Sequence, residues 1–197
     1  MRPAPSLAAL AAIATVALGL PAAAPAQVVH VNDAALVGTA DMDIFCGLAG
    51  DDEFAGMDGN DALFGDDCAF ALSLDAPIPP SLGGDDELYG GNDDDLLVGG
   101  WEDDSLSGGP GDDQIGGGSG DDRLSGGSED DKLIGDSGDD LILPGGGSDR
   151  IDAGRGNDSI RSADDDSDIV FCGRGHDAVR ADRTDRLRAC EQVRRRR

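Results

Sequence analysis

The 197-residue chain carries 41 acidic residues against 15 basic ones, a formal net charge of −26 at pH 7, and a single Trp and a single Tyr. So acidic a surface repels nucleic acid and excludes it as a partner class. Thirty-one glycines with so few aromatics would leave the chain disordered unless something other than a large apolar core holds it together.

Residues 1–26 read as a secretory signal peptide: Arg2 precedes the apolar run LAALAAIATVALGL, and Ala24, Pro25 and Ala26 stand just before Gln27. The run is short of the ~20 apolar residues that a membrane span needs. A secreted, extracellular chain with no membrane span is expected, in surroundings that favour pairing of its four cysteines. Residues 27–37 form an N-terminal lead-in.

From residue 38 the sequence falls into rows of nine. GTADMDIFC, GLAGDDEFA and GMDGNDALF put Asp43, Asp52 and Asp61 at the sixth position and Phe45, Phe54 and Leu63 at the eighth. An insertion at about residues 67–83, rich in Pro and Ala, then interrupts the frame, which resumes with Asp86 and Leu88. Repeat arrays accommodate insertions at turns, so this one should bulge from a single coil. Residues 90–161 give eight rows without a gap. Their sixth position is Asp95, Asp104, Asp113, Asp122, Asp131, Asp140, Asp149 and Asp158, and their eighth is always Leu or Ile. A disordered acidic tract has no reason to hold two columns fixed.

Each row suggests about six turn residues, where glycine supplies positive φ, followed by about three strand residues with the aliphatic turned inward. Stacking such rows as parallel strands brings like carboxylates ~5 Å apart, a repulsion of roughly 3 kcal/mol at an effective dielectric of 20. Something must neutralise them. Carboxylates and turn carbonyls are hard oxygen donors, which suit calcium and disfavour zinc or copper.

The rows GGPGDDQIG and GGSGDDRLS resemble the glycine-rich nonapeptide G-G-x-G-x-D-x-U-x of the RTX, or haemolysin-type, calcium-binding repeats. The resemblance implies an all-β fold, a right-handed parallel β-roll with two nonapeptides per coil, over residues 38–161. It further implies several calcium ions, held between turns two rows apart by the sixth-position aspartates and backbone carbonyls. Asp95, Asp113 and Asp131 would then line one edge and Asp104, Asp122 and Asp140 the other, giving about six sites in the eight uninterrupted rows. Departures occur at the fourth position, where Asp93, Glu102 and Glu129 replace glycine, and at the first, where Pro144 and Ala153 do. If the fourth position needs positive φ, those turns bind more weakly. The fifth-position acids, such as Asp112 and Asp121, are expected to be solvated rather than primary ligands.

Past Arg161 the frame slips by one residue, though Asp168 and Asp177 stay nine apart; residues 162–193 are assigned to degenerate repeats and a cap, and residues 194–197 to a basic tail. With two rows per coil, Cys172 and Cys190 lie one coil apart and within disulfide reach, subject to Leu187 falling one residue early. Cys46 and Cys68 would be the remaining pair, although four cysteines permit three pairings. Residues 174–197 hold nine of the 15 basic residues. They are either a tail drawn to the chain's own acidic edge or an anchor for an anionic cell-envelope or extracellular polymer.

Other chemistry fails on inspection. Asp164, Asp166 and Asp168 imitate the start of an EF-hand loop, but Ile169 stands where its Gly is needed and Gly175 where its bidentate Glu is. No acid/base or nucleophile constellation stands apart from the repeat, so no enzymatic activity is expected. Two roles follow: a free-standing calcium-loaded binding or structural module, or an accessory appendage of a secreted toxin, protease or polysaccharide-modifying system. The N-terminal signal and the lack of room for a second domain favour the first.

Overall fold

The computed structural model describes residues 28–30, 35–40, 43–47, 51–65 and 84–195. The residues read as a signal peptide and the whole insertion, Cys68 included, lie outside the described residues. Every regular element described is a β-strand, and among the described residues no helix is long and apolar enough to cross a membrane.

Strands alternate between two nine-stranded parallel sheets. One contains β1 (Val28–His30), β3 (Ile44–Cys46), β5 (Ala62–Phe64), β7 (Leu96–Trp101), β9 (Gln114–Ser119), β11 (Lys132–Ser137), β13 (Arg150–Asp152), β15 (Ile169–Phe171) and β17 (Arg186–Arg188). The other contains β2 (Ala35–Val37), β4 (Glu53–Asp58), β6 (Glu87–Asn92), β8 (Ser105–Pro110), β10 (Arg123–Ser128), β12 (Leu141–Gly146), β14 (Ser159–Arg161), β16 (Ala178–Ala181) and β18 (Gln192–Arg195). Each strand pairs with the strand two places away, so two rows complete one coil of a parallel β-roll. Register confirms it: Leu97 opposes Ile115, Ile115 opposes Leu133, and Leu106 opposes Leu124, each pair separated by two full rows.

Mid-array strands are twice as long as sequence reasoning suggests. They run for six residues, from the seventh position of one row through the third of the next, leaving a three-residue turn. The glycines counted as turn residues pair across coils, as Gly100 does with Gly118 and Gly109 with Gly127. Side-chain alternation then turns positions six, eight and one inward. The eighth-position residues from Phe45 to Val179 form one continuous stacked core, extended at its start by the Phe45 and Phe54 rings, 5.6 Å apart. First-position residues are mostly glycine, because a Cβ on Gly90 or Gly108 would overlap the aspartate carboxylate of its own row, although Pro144 is buried at that position. Ala153 nonetheless fits there and joins the core.

Two irregularities interrupt the two-row register. Leu63 opposes Leu97 and Phe54 opposes Leu88, so strands from either side of the insertion pair directly and the stack of described strands is continuous. At the other end, Val170 opposes Ile151 one residue late, and Leu187 opposes Val170 one residue early. The slip and its reversal cancel, and Cys172 and Cys190 form a disulfide with α-carbons 5.1 Å apart. Cys46 is also disulfide-bonded. Arg194 and Arg195, assigned to the tail on sequence, lie in β18.

Candidate metal centres

A ladder of aspartates runs along each edge of the roll, built by the residues that close each turn. At the edge that leads into the odd-numbered strands, the backbone N–H of each aspartate donates to Oδ1 of the aspartate one coil on. The chain of bonds runs Asp43 to Asp61 (2.8 Å), then Asp95 (2.7 Å), Asp113 (2.8 Å), Asp131 (2.9 Å), Asp149 (2.9 Å) and Asp168 (2.9 Å). The opposite edge runs Asp52 to Asp86 (2.7 Å), then Asp104 (2.9 Å), Asp122 (2.9 Å), Asp140 (3.0 Å), Asp158 (3.0 Å) and Asp177 (3.0 Å). All fourteen aspartates picked out by the nine-residue spacing therefore stand in two in-register columns.

Only half of each carboxylate is used by these bonds. In every ladder aspartate from Asp113 to Asp177, and in Asp61 and Asp95, Oδ2 is buried and accepts no hydrogen bond. A buried carboxylate oxygen left bare costs far more than a neutral polar atom, so such oxygens, repeated every coil, mark places where a cation fits. The donors are hard oxygens and the set suits calcium. Asp43 differs: it is half-buried, and its Oδ2 accepts from the backbone N–H and hydroxyl of Thr39.

Burial drives nine of the ladder carboxyls toward their protonated form. It pushes Asp131 up to about 8, Asp95, Asp122, Asp140 and Asp168 to about 7, and Asp61, Asp113, Asp149 and Asp158 to about 6. The N–H donated from the adjacent coil opposes the rise, while neighbouring carboxylates reinforce it. A divalent cation at Oδ2 would reverse this balance, since its charge dominates any local field it enters.

The fifth-position acids are exposed, yet they too are engaged. Their bonds run the other way: Asp112 donates its N–H to Oδ1 of Asp94 (2.9 Å), and Asp121 to Oδ1 of Asp103 (2.7 Å). They tie turn to turn on the outside. Sequence reasoning missed the two acids that end the inner ladders: Asp168 donates to Oδ1 of Asp185 and Asp177 to Oε2 of Glu191, both at 3.2 Å. The signal was present as the acid-x-aliphatic spacing of Asp185 to Leu187 and Glu191 to Val193, which survives after the nine-residue period has failed.

A parallel solenoid with a bare carboxylate oxygen at turn after turn has the architecture of a metal-binding repeat module. The chain belongs to the RTX calcium-binding nonapeptide repeat family, whose model matches residues 37–67, 82–115, 116–151 and 143–179 in four copies. Membership implies calcium binding, and repeats of this kind are typical of secreted structural or binding modules. No curated protein matches the chain.

Proposed function

We propose that this is a secreted, non-enzymatic module whose β-roll is folded by calcium, with the ladder aspartates as its side-chain ligands. One observation carries the reading: the unpartnered Oδ2 atoms recur once per coil along both edges, as from Asp95 to Asp168 and from Asp122 to Asp177. Each aspartate between two coils would serve the ions on either side of it. The test is far-UV circular dichroism of the chelator-treated protein during a calcium titration, with magnesium as control. At pH 8, a cooperative gain of β signal with calcium alone supports the reading, and a full β signal in chelator sinks the claim that the metal folds the roll.

A specific surface favours an anionic polymer as partner. Arg161, Arg180 and Arg194 oppose one another on β14, β16 and β18, and the residues two places before them, Ser159, Ala178 and Gln192, carry no charge. Like charges in register on neighbouring strands repel, and an extended carboxylate polymer laid along the column would relieve that. Salt-sensitive retention of the calcium-loaded protein on immobilised polygalacturonate should weaken in the double variant Arg161→Gln/Arg180→Gln; equal retention of both proteins would remove the surface from consideration.

A further inference from the structure

Where the register slips, one coil carries an acid that the repeat does not account for. Asp164 sits in the segment between β14 and β15, off the sixth-position column, and its carboxylate meets those of Asp149 and Asp168. One oxygen from each of the three lies within 4.8 Å of the others, the one such group of three among the described residues. The three are in the same state. Each has Oδ1 committed to a backbone N–H, of Asp131, Asp166 and Asp149 respectively, and each has Oδ2 buried and unpartnered. Asp149 and Asp168 are themselves 1% and 0% exposed.

We propose that Asp164 is a third carboxylate ligand to the calcium held between Asp149 and Asp168, and that this makes the site at the slip the tightest in the roll. Calcium takes oxygens at about 2.3–2.6 Å, so a single ion reaches oxygens up to about 5 Å apart. Elsewhere in the ladders an ion between coils meets two such carboxylates; here it meets three, and calcium affinity rises with the charge of the ligand set. The extra residue of the slip, which sets Val170 against Ile151 one position late, supplies the chain length that brings Asp164 inward. Two acids of the failed EF-hand likeness, Asp164 and Asp168, thus converge on one point, completed by Asp149 from the neighbouring coil rather than by a downstream Glu. The inference rests on the calcium reading above but adds a ligand and a filling order to it.

The test compares calcium titration calorimetry, with a competing chelator, for the intact protein and for the Asp164→Asn, Asp113→Asn and Asp152→Asn variants. Asparagine at 164 keeps the acceptor for the Asp166 N–H, and Asp152 is an exposed acid of β13 that controls for lost charge. The expected result is one ion bound more tightly than the rest, weakened about tenfold or more in Asp164→Asn and unchanged in Asp152→Asn and Asp113→Asn. Retention of the tight ion in Asp164→Asn overturns the proposal while leaving the ladder reading intact. A single ion, lost in Asp164→Asn and indifferent to Asp113→Asn, would keep this site and overturn the ladder sites. No calcium bound by the intact protein overturns both. Circular dichroism at saturating calcium verifies that each variant folds; should Asp164→Asn not fold, Asp164→Glu, which keeps the charge but shifts its position, must weaken the same ion or the proposal falls.

Discussion

Asp93, Glu102 and Glu129 stand at the fourth position of their rows with φ of 75°, 74° and 78°, whereas glycines at that position, such as Gly111 and Gly120, adopt 141° and 150°. The position does demand positive φ, and a side chain answers by retreating to the left-handed well, at a cost of about 1–2 kcal/mol. Glu102→Gly should therefore raise stability by up to about 1 kcal/mol, the gain being reduced by the freedom glycine adds to the unfolded chain; chemical denaturation in calcium measures it. Glu129→Gly should gain less, because Oε2 of Glu129 accepts the Gly111 N–H and that bond would be lost. The ladder gives a second contrast at single residues. Asp113→Asn keeps an oxygen for the Asp95 N–H, whereas Asp113→Ala leaves that buried donor bare, a further loss of about 1–3 kcal/mol. Both variants remove a shared ligand, so both should disturb two neighbouring calcium sites; unchanged calcium stoichiometry in both would sink the shared-ligand scheme.

At the scale of the coil, stability is passed between neighbours, since a solenoid coil touches only the coils beside it. The Cys172–Cys190 disulfide fastens the last full coil where register is least regular. Closing a loop of that length stabilises by about 3 kcal/mol in the chain-entropy account. Cys190→Ser should then free β17 and β18 and let trypsin cleave after Arg183, Arg186 and Arg188, whose side chains are already exposed, while the β signal of the coils before it persists; global loss of that signal would contradict the neighbour-only picture. What the sequence made legible at this scale follows the same logic. Asp113 and Ile115 could be placed because inward side chains of one type must recur with the coil, and the spacing of Cys172 and Cys190 could be read from that period. Strand length could not, because Gly109 and Gly127 pair through backbone alone and glycine in a strand looks like glycine in a turn. Asp185 and Glu191 escaped because the coils that hold them are shortened, the last of them by several residues where Val179 opposes Val193. Asp164 escaped because its role depends on where an extra residue throws the chain, which no column records.

Taken as a whole, the molecule is a stack of buried acids whose charge state and metal content are linked. Burial raises nine of the metal-free ladder carboxyls to between about 6 and about 8, as at Asp113 and Asp131, against about 4 in an unfolded chain. Between pH 4 and 8 the metal-free folded state therefore binds more protons than the unfolded state, and its stability falls as pH rises through that window. The contribution is fully present below about pH 4 and lost above about pH 8. Calcium needs the same oxygens deprotonated, so its affinity must move in the opposite sense, rising with pH over the same range. Far-UV circular dichroism in chelator should show β signal returning as pH is lowered from 8 to 5, while the calcium concentration needed to half-saturate the sites, read by calorimetry, should climb over the same interval. At pH 8, calcium at 100 times its site dissociation constant adds about 2.7 kcal/mol for each ion, so several ions outweigh any single cap or disulfide. Chelation at pH 8 should then unfold the roll, and chelation at pH 5 should not. If β content in chelator were the same at both values, the buried carboxyls would not be titrating with the fold, and the cation's place in the ladder would have to be taken by something other than a proton.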